Sequence, residues 1–322
     1  MELNIDMNPE EKKDLIIGYA SKYTWDDLKC WINSIKKTDF SGDIILVSDN
    51  ITKETIQELN YRSINLSLYG KSDDRGDFVS EQNLAPHVNR FFYIWNTLKS
   101  LKKDYRFVIT TDTRDVIFQK NPSIWLENNM VMHNLVASSE SLKYKDEPWG
   151  NNNLLSTFGP FYHNILKNEY IYNVGVIAGD MSHVTGMMSL IFQLSLNRPI
   201  PIVDQAVYNF ILRTEPYDQD TYFSSNIDNW AVNLGTAIQA VSAGSGDLGQ
   251  AYIQNEDVRN SYLKAYDDHQ VTFENDLVMG LDNLSYTIVH QYDRAPELKL
   301  KIQKLYGELN ASESRSIFHH PV

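Results

Sequence analysis

Between residues 14 and 68 the chain alternates short apolar runs with amphipathic stretches, and this alternation narrows the fold more than any other feature. Asp14–Ser21 (DLIIGYAS), Asp43–Ser48 (DIILVS) and Ile64–Leu68 read as strands. Between the first two, Leu28, Trp31, Ile32 and Ile35 fall on one helical face behind Thr24, a residue suited to capping. A second helix is expected over about 52–59. Strand, helix, strand, helix, strand makes two βαβ units, whose crossovers demand a parallel sheet.

The next legible unit is the helix expected over His87–Leu101, after a polar loop at 70–86. It leads into Phe107-Val108-Ile109, a buried strand that runs through two threonines to Asp112 and Asp115. Val116-Ile117-Phe118 re-enters the core at once, and Asn121-Pro122-Ser123 opens a helical turn carrying Trp125. Two carboxylates delivered at the carboxyl end of a strand lie where open α/β sheets gather ligands, and hard divalent cations require oxygen donors. The residues alone leave two readings: a metal site, or a turn in which Asp112 caps and Asp115 pairs with Arg114 or a lysine.

Further along, His133–Ser139 and Tyr170–Asp180 read as strands, with a polar insertion over the site at 140–169. In that insertion Asn151–Asn153 serve either as helix terminators or as donors to sugar hydroxyls. A helix is expected over Ser182–Leu196, and Asp204 stands at the start of another. Residues 215–285 carry no clear pattern. Within them Gly244-Ser245-Gly246-Asp247-Leu248-Gly249 matches a dinucleotide fingerprint, with Asp267 and Asp268 about twenty residues on, although such a fingerprint belongs in the first βα turn of a sheet. Tyr286–His290 is a last strand, and Pro296–Tyr306 a last helix with proline at its start and lysines toward its end.

Composition excludes several classes. The net charge of −13 repels phosphate backbones and disfavours a nucleic-acid partner. Cys30 is the only cysteine, so neither an intramolecular disulfide nor a thiolate metal cluster can form. The polar, acidic start lacks the pattern of a signal peptide, and no apolar run approaches a membrane span. A cytoplasmic protein is the expectation, in which the Asn-x-Ser sequons at Asn65, Asn283 and Asn310 carry no meaning.

The segment Asp112-Thr113-Arg114-Asp115 resembles the metal-binding acidic motif of glycosyltransferases of the GT-A fold, usually Asp-x-Asp, with the second acid one position later and Arg114 in its usual place. The resemblance extends over about 14–307 through Asn173-Val174-Gly175-Val176, Asp204-Gln205 and a late histidine, His290, in the family's order. It implies an α/β, Rossmann-like GT-A fold: a mixed, mostly parallel central sheet flanked by helices, with a C-terminal acceptor-side region. A single domain over 1–310 would then divide into a nucleotide-binding half, 14–139, and an acceptor-side half, 140–307, before a polar tail at 308–322.

The activity implied is transfer of a sugar from a nucleoside diphosphate, UDP by family frequency, to a hydroxyl-bearing acceptor. By the same resemblance Asp112, Asp115 and His290 hold Mn²⁺ or Mg²⁺, Asp112 doubling as a contact to ribose or to a metal-bound water. Arg90 and Arg294 would face the diphosphate, Tyr19, Ala20 and Ser21 the base and ribose, and Asn173 and Gly175 the sugars. Asp204 and Gln205 would stand beside the anomeric carbon and point to retention, with Asp204 or Glu147 as the base if the enzyme inverts. Three other readings remain open: a nucleotidyltransferase of the same fold, a binding protein inactivated by Arg114, and a dinucleotide-dependent oxidoreductase using Gly244–Gly249.

Overall fold

A computed structural model describes residues 12–81, 85–200, 202–235, 238, 255–268, 272–280 and 282–307. The fingerprint at 244–249, the Asn310 sequon and the polar tail from 308 lie outside them. The first half of the chain runs β1 (Leu15–Ser21), α1 (Trp25–Lys36), β2 (Asp43–Asn50), α2 (Lys53–Tyr61), β3 (Asn65–Leu68), β4 (Lys71–Ser72), β5 (Phe78–Val79) and α3 (Pro86–Ser100). It continues through β6 (Phe107–Thr111), β7 (Val116–Phe118), α4 (Pro122–Asn129) and β8 (Leu135–Lys143). Then come α5 (Pro148–Leu166), β9 (Tyr170–Asp180), α6 (Met181–Ser195), α7 (Asp204–Leu212), α8 (Tyr217–Asp220) and β10 (Thr221–Ser224). The last elements are β11 (Ala231–Asn233), α9 (Glu256–Asp268), β12 (Thr272–Glu274), β13 (Leu277–Met279), β14 (Ile288–His290) and α10 (Pro296–Tyr306).

The main sheet has seven strands in the order β10-β8-β9-β6-β1-β2-β3. All neighbours are parallel except β9, which runs antiparallel to both β6 and β8. The expected mixed, mostly parallel sheet is therefore present, and helices cover both faces. Strand parity sorts the core: Leu15 and Ile17 of β1 join Phe91, Ile94, Met187 and Val207 on one face, while Ile16 and Ala20 join Leu28, Trp31 and Ile32 on the other. A second sheet of three strands, β11-β14-β7, stands against the first. Only four residues separate the end of β6 from the start of β7, so the chain passes from one sheet to the other at residues 112–115.

Two expectations change. Residues 140–169 are not a loop: β8 continues to Lys143, a 3₁₀ turn spans Tyr144–Asp146, and α5 follows. Glu147 caps that helix and Pro148 opens it, while Gly159, at φ 74° and ψ 177°, kinks it just before Pro160. Asn151 bonds His163 across the kink at 2.7 Å, and Asn153 donates to Ile202 O, outside the helix, at 3.3 Å. The turn carrying Trp125 is also longer than expected, a full α4. Among the described residues no helix is long and apolar enough to cross a membrane.

Candidate active site

The acidic pair is assembled by three ladders. Asp112 follows β6, and its N–H donates to Gly175 O at 2.8 Å, continuing the β6–β9 pairing. Asp115 precedes β7, whose antiparallel register sets Val116 opposite His290, and Gln291 N–H donates to Asp115 O at 2.7 Å. In β11, Asn233 lies beside His290 in parallel register. The displaced second acid thus finds its place because the chain bends out of one sheet into the other between 112 and 116.

His290 is almost wholly buried, with 1% of its surface exposed. Asn233 Nδ2 donates to Ser138 O and Ser139 O at 3.3 and 3.2 Å, which leaves its Oδ1 to accept from His290 Nδ1 at 2.9 Å. That bond keeps the proton on Nδ1 and turns Nε2 toward the acids, 3.5 Å from Asp112 Oδ2 and 3.9 Å from Asp115 Oδ1. Nε2 has no hydrogen-bond partner among the described residues. A buried nitrogen left this way costs about 1–3 kcal/mol unless something occupies it. One ligand atom from each of Asp112, Asp115 and His290 lies within 4.8 Å of the others, a set that fits a hard or borderline divalent cation.

The electrostatics agree with that fit. Burial works against ionising Asp112, but the Arg90 guanidinium and then His290 hold its carboxyl well below the usual range. Burial raises Asp115, opposed by His290 and reinforced by the charge of Asp112. His290 is lowered by burial, yet the two acids together raise it above the ordinary imidazole value. Asp112 is therefore the acid most firmly held ionised, with the Arg90 guanidinium and the His290 imidazole beside it.

Around it lies a cavity of about 260 Å³ at the carboxyl ends of β1 and β6, its walls including Tyr19, Ser21, Arg90, Asp112, Asp115 and Arg294. Arg114 stands at this cavity too, with its guanidinium half exposed and 3.8 Å from Asp293, so it does not displace Asp115 inward. Arg90 bridges two acids: it pairs with Asp112 and donates to Asp204 Oδ2 at 2.8 Å. Tyr19 donates to the buried Asp49 at 2.7 Å, and its ring stacks on Tyr93.

Other expected residues take different places. Ala20 points to the opposite face of β1, into the core beneath α1, as strand alternation requires once Tyr19 faces the cavity. Asn173 is held behind the site, donating to Glu140 Oε1 at 2.6 Å and accepting from Gly175 N at 2.7 Å. Gln205 donates to the same Glu140 oxygen at 3.2 Å. A Cβ at Gly175 would stand 2.8 Å from His290 Nε2, so the glycine leaves room for the imidazole. Glu147 is away from the cavity walls; its carboxylate caps α5, accepting from Trp149 N and Gly150 N, and takes a bond from Tyr262 at 3.0 Å. Sequence reading missed Asn233 and Glu140. Their only signal was a lone polar residue inside an apolar run, Trp230-Ala231-Val232-Asn233-Leu234, and an acid ending the apolar stretch of β8.

Comparison with solved structures places the fold. The chain aligns with the apo-form glycosyltransferase GlyE of Streptococcus pneumoniae TIGR4 at a TM-score of 0.52 and 12% identity, over 96% of this chain and 63% of that one. It aligns with the apo structure of the bifunctional glycosyltransferase WbbM at a TM-score of 0.52 and 13% identity, over 94% of this chain and 53% of that one. The chain thus spans between about half and two thirds of the length of these proteins. At such identity the likeness is one of fold, and the fold is one that glycosyltransferases adopt. No protein-family model and no curated protein sequence matches the chain.

Proposed function

We propose that this chain is a metal-dependent glycosyltransferase of the GT-A kind, moving a sugar from a nucleoside diphosphate, UDP in the first instance, to a hydroxyl-bearing acceptor. The observation that carries the reading is the buried, unpartnered Nε2 of His290, aimed at two carboxylates by Asn233. Asp112, Asp115 and His290 are the residues that would hold Mn²⁺ or Mg²⁺, which when bound supplies positive charge against the diphosphate leaving group.

The chain's own groups divide the remaining work. Arg90 and Arg294, both on the cavity wall, offer charge-assisted hydrogen bonds to phosphate oxygens. Tyr19 and Ser21 line the wall suited to base and ribose. Arg90 ties Asp204 to Asp112, and Glu140 orients both Gln205 and Asn173, so two sets of side-chain bonds hold the groups proposed to stand near the anomeric carbon. With Asp204 engaged by Arg90 and Glu147 serving as a helix cap, neither is a free base, which favours retention.

Thermal unfolding with UDP, GDP, CDP or ADP, each with and without Mn²⁺, tests this reading. A ligand present at a hundredfold its dissociation constant stabilises the folded state by about 2.7 kcal/mol. One nucleoside diphosphate is expected to raise the melting temperature of the wild type only with Mn²⁺, and not at all in Asp115→Ala. A wild type indifferent to every nucleotide, or equally responsive without metal, would overturn the proposal.

A further inference from the structure

Residues 113 and 114 carry the chain from β6 toward β7, and their side chains part. Thr113 is buried and donates from Oγ1 to Tyr19 O at 3.1 Å. Arg114 instead lines the cavity with its side chain 47% exposed, while its carbonyl accepts from the buried Tyr292 hydroxyl at 3.2 Å. The guanidinium thus reaches the cavity from a backbone held on both sides.

Arg294 lines the same cavity from the 3₁₀ turn Tyr292–Arg294 that follows β14. The acid these two arginines share, Asp293, stands 3.8 Å from Arg114 Nη2 and 3.7 Å from Arg294 Nε, too far for hydrogen bonds. Its buried Oδ1 has no hydrogen-bond partner among the described residues. Arg90, by contrast, is engaged by Asp112 and Asp204. Arg114 and Arg294 are therefore the guanidinia of the wall whose donor forks are turned to the cavity without a bonded acid.

Charge shows what such donors are for. The charged wall residues and their ion-pair partners set four carboxylates, Asp112, Asp115, Asp204 and Asp293, against three guanidinia, Arg90, Arg114 and Arg294. One divalent cation, bound by a neutral His290, turns that surplus of one negative charge into a surplus of one positive. Without Arg114 the loaded site would be neutral. It would then have no net attraction for a diphosphate, whose negative charge grows further when the sugar leaves.

We infer that Arg114 binds the donor's diphosphate beside Arg294, so that the altered acidic motif exchanges a carboxylate for an anion-binding guanidinium. The inference rests on the transferase reading and gives that site a further phosphate ligand. If Arg114 were only damage to a metal motif, restoring the acid would improve nucleotide binding; if it binds phosphate, restoring the acid worsens it.

The test is isothermal titration of the full chain in two arms. One, in Mn²⁺, uses whichever of UDP, GDP, CDP and ADP stabilises the wild type; the other, in Mg²⁺, uses inorganic pyrophosphate. Arg114→Gln is expected to weaken both roughly 10- to 100-fold, the loss of a charge-assisted contact. Arg114→Lys keeps the charge without the planar fork and should fall between. Arg114→Asp should bind nucleotide more weakly still, with Mn²⁺ binding, read by electron paramagnetic resonance, undiminished. Unchanged affinities in Arg114→Gln, or tighter nucleotide binding in Arg114→Asp, would overturn the inference. Pyrophosphate reads the anion site apart from the transferase. Arg114-dependent pyrophosphate binding with no nucleoside diphosphate bound sinks the transferase alone. A nucleoside diphosphate bound equally by the wild type and Arg114→Gln sinks the anion site alone, and binding of neither ligand sinks both.

Discussion

At the scale of single residues the site depends on side chains that never touch a substrate. Asn233 contributes no ligand, yet its amide, fixed by two carbonyls of β8, decides which nitrogen of His290 carries the proton. Removing such a support commonly lowers metal affinity about 10- to 100-fold. Asn233→Ala is accordingly expected to weaken Mn²⁺ binding by that factor, measured by titration of free Mn²⁺ by electron paramagnetic resonance. An affinity equal to the wild type would show that the imidazole needs no orientation. Asp112, Asp115 and His290 were legible in the sequence because acids after an apolar strand and a histidine ending one are local patterns. Asn233 was not, since its partner lies in a distant strand.

At the scale of elements, α5 is the instructive case. Pro148-Trp149-Gly150-Asn151-Asn152-Asn153 is poor in helix formers and reads as a loop. The helix forms because Glu147 satisfies its first N–H groups and because Asn153, Leu154, Thr157 and Leu166 are buried on its inner side. The same burial, with Glu140 nearby, pushes the Glu147 carboxyl up to about 7 from an ordinary 4.5, despite bonds from Gly150, Trp149 and Tyr262 that pull it down. Between those values the folded chain keeps a proton that the unfolded chain has released, so stability falls as pH rises through this window. The loss amounts to roughly 3 kcal/mol by pH 7, at about 1.36 kcal/mol per pKa unit. Glu147→Gln should flatten this part of the stability profile in denaturant melts taken from pH 4.5 to 7; a parallel profile in both proteins would show that Glu147 titrates normally.

At the scale of the whole molecule, the candidate metal ligands tie the seven-stranded sheet to the three-stranded one, with Asp112 on the first and Asp115 and His290 on the second. Mn²⁺ with its nucleotide is therefore expected to slow amide exchange in β7 and β14 as well as at the end of β6, and to do neither in Asp115→Ala. Protection confined to β6 would mean that the two sheets are not clamped through the site. The sequence by itself determined the alternation of strands and helices, the parallel start of the sheet, and the delivery of Asp112 and Asp115 to a strand end. Those follow from residue periodicity and local turn chemistry, which are written in neighbouring positions. Only the tertiary structure decided that β9 runs antiparallel, that Glu147 caps a helix, and that β14 pairs with β7 to bring His290 to the acids. Strand periodicity fixes which face a side chain occupies, but the choice of partner strand is made by packing between segments far apart in the chain.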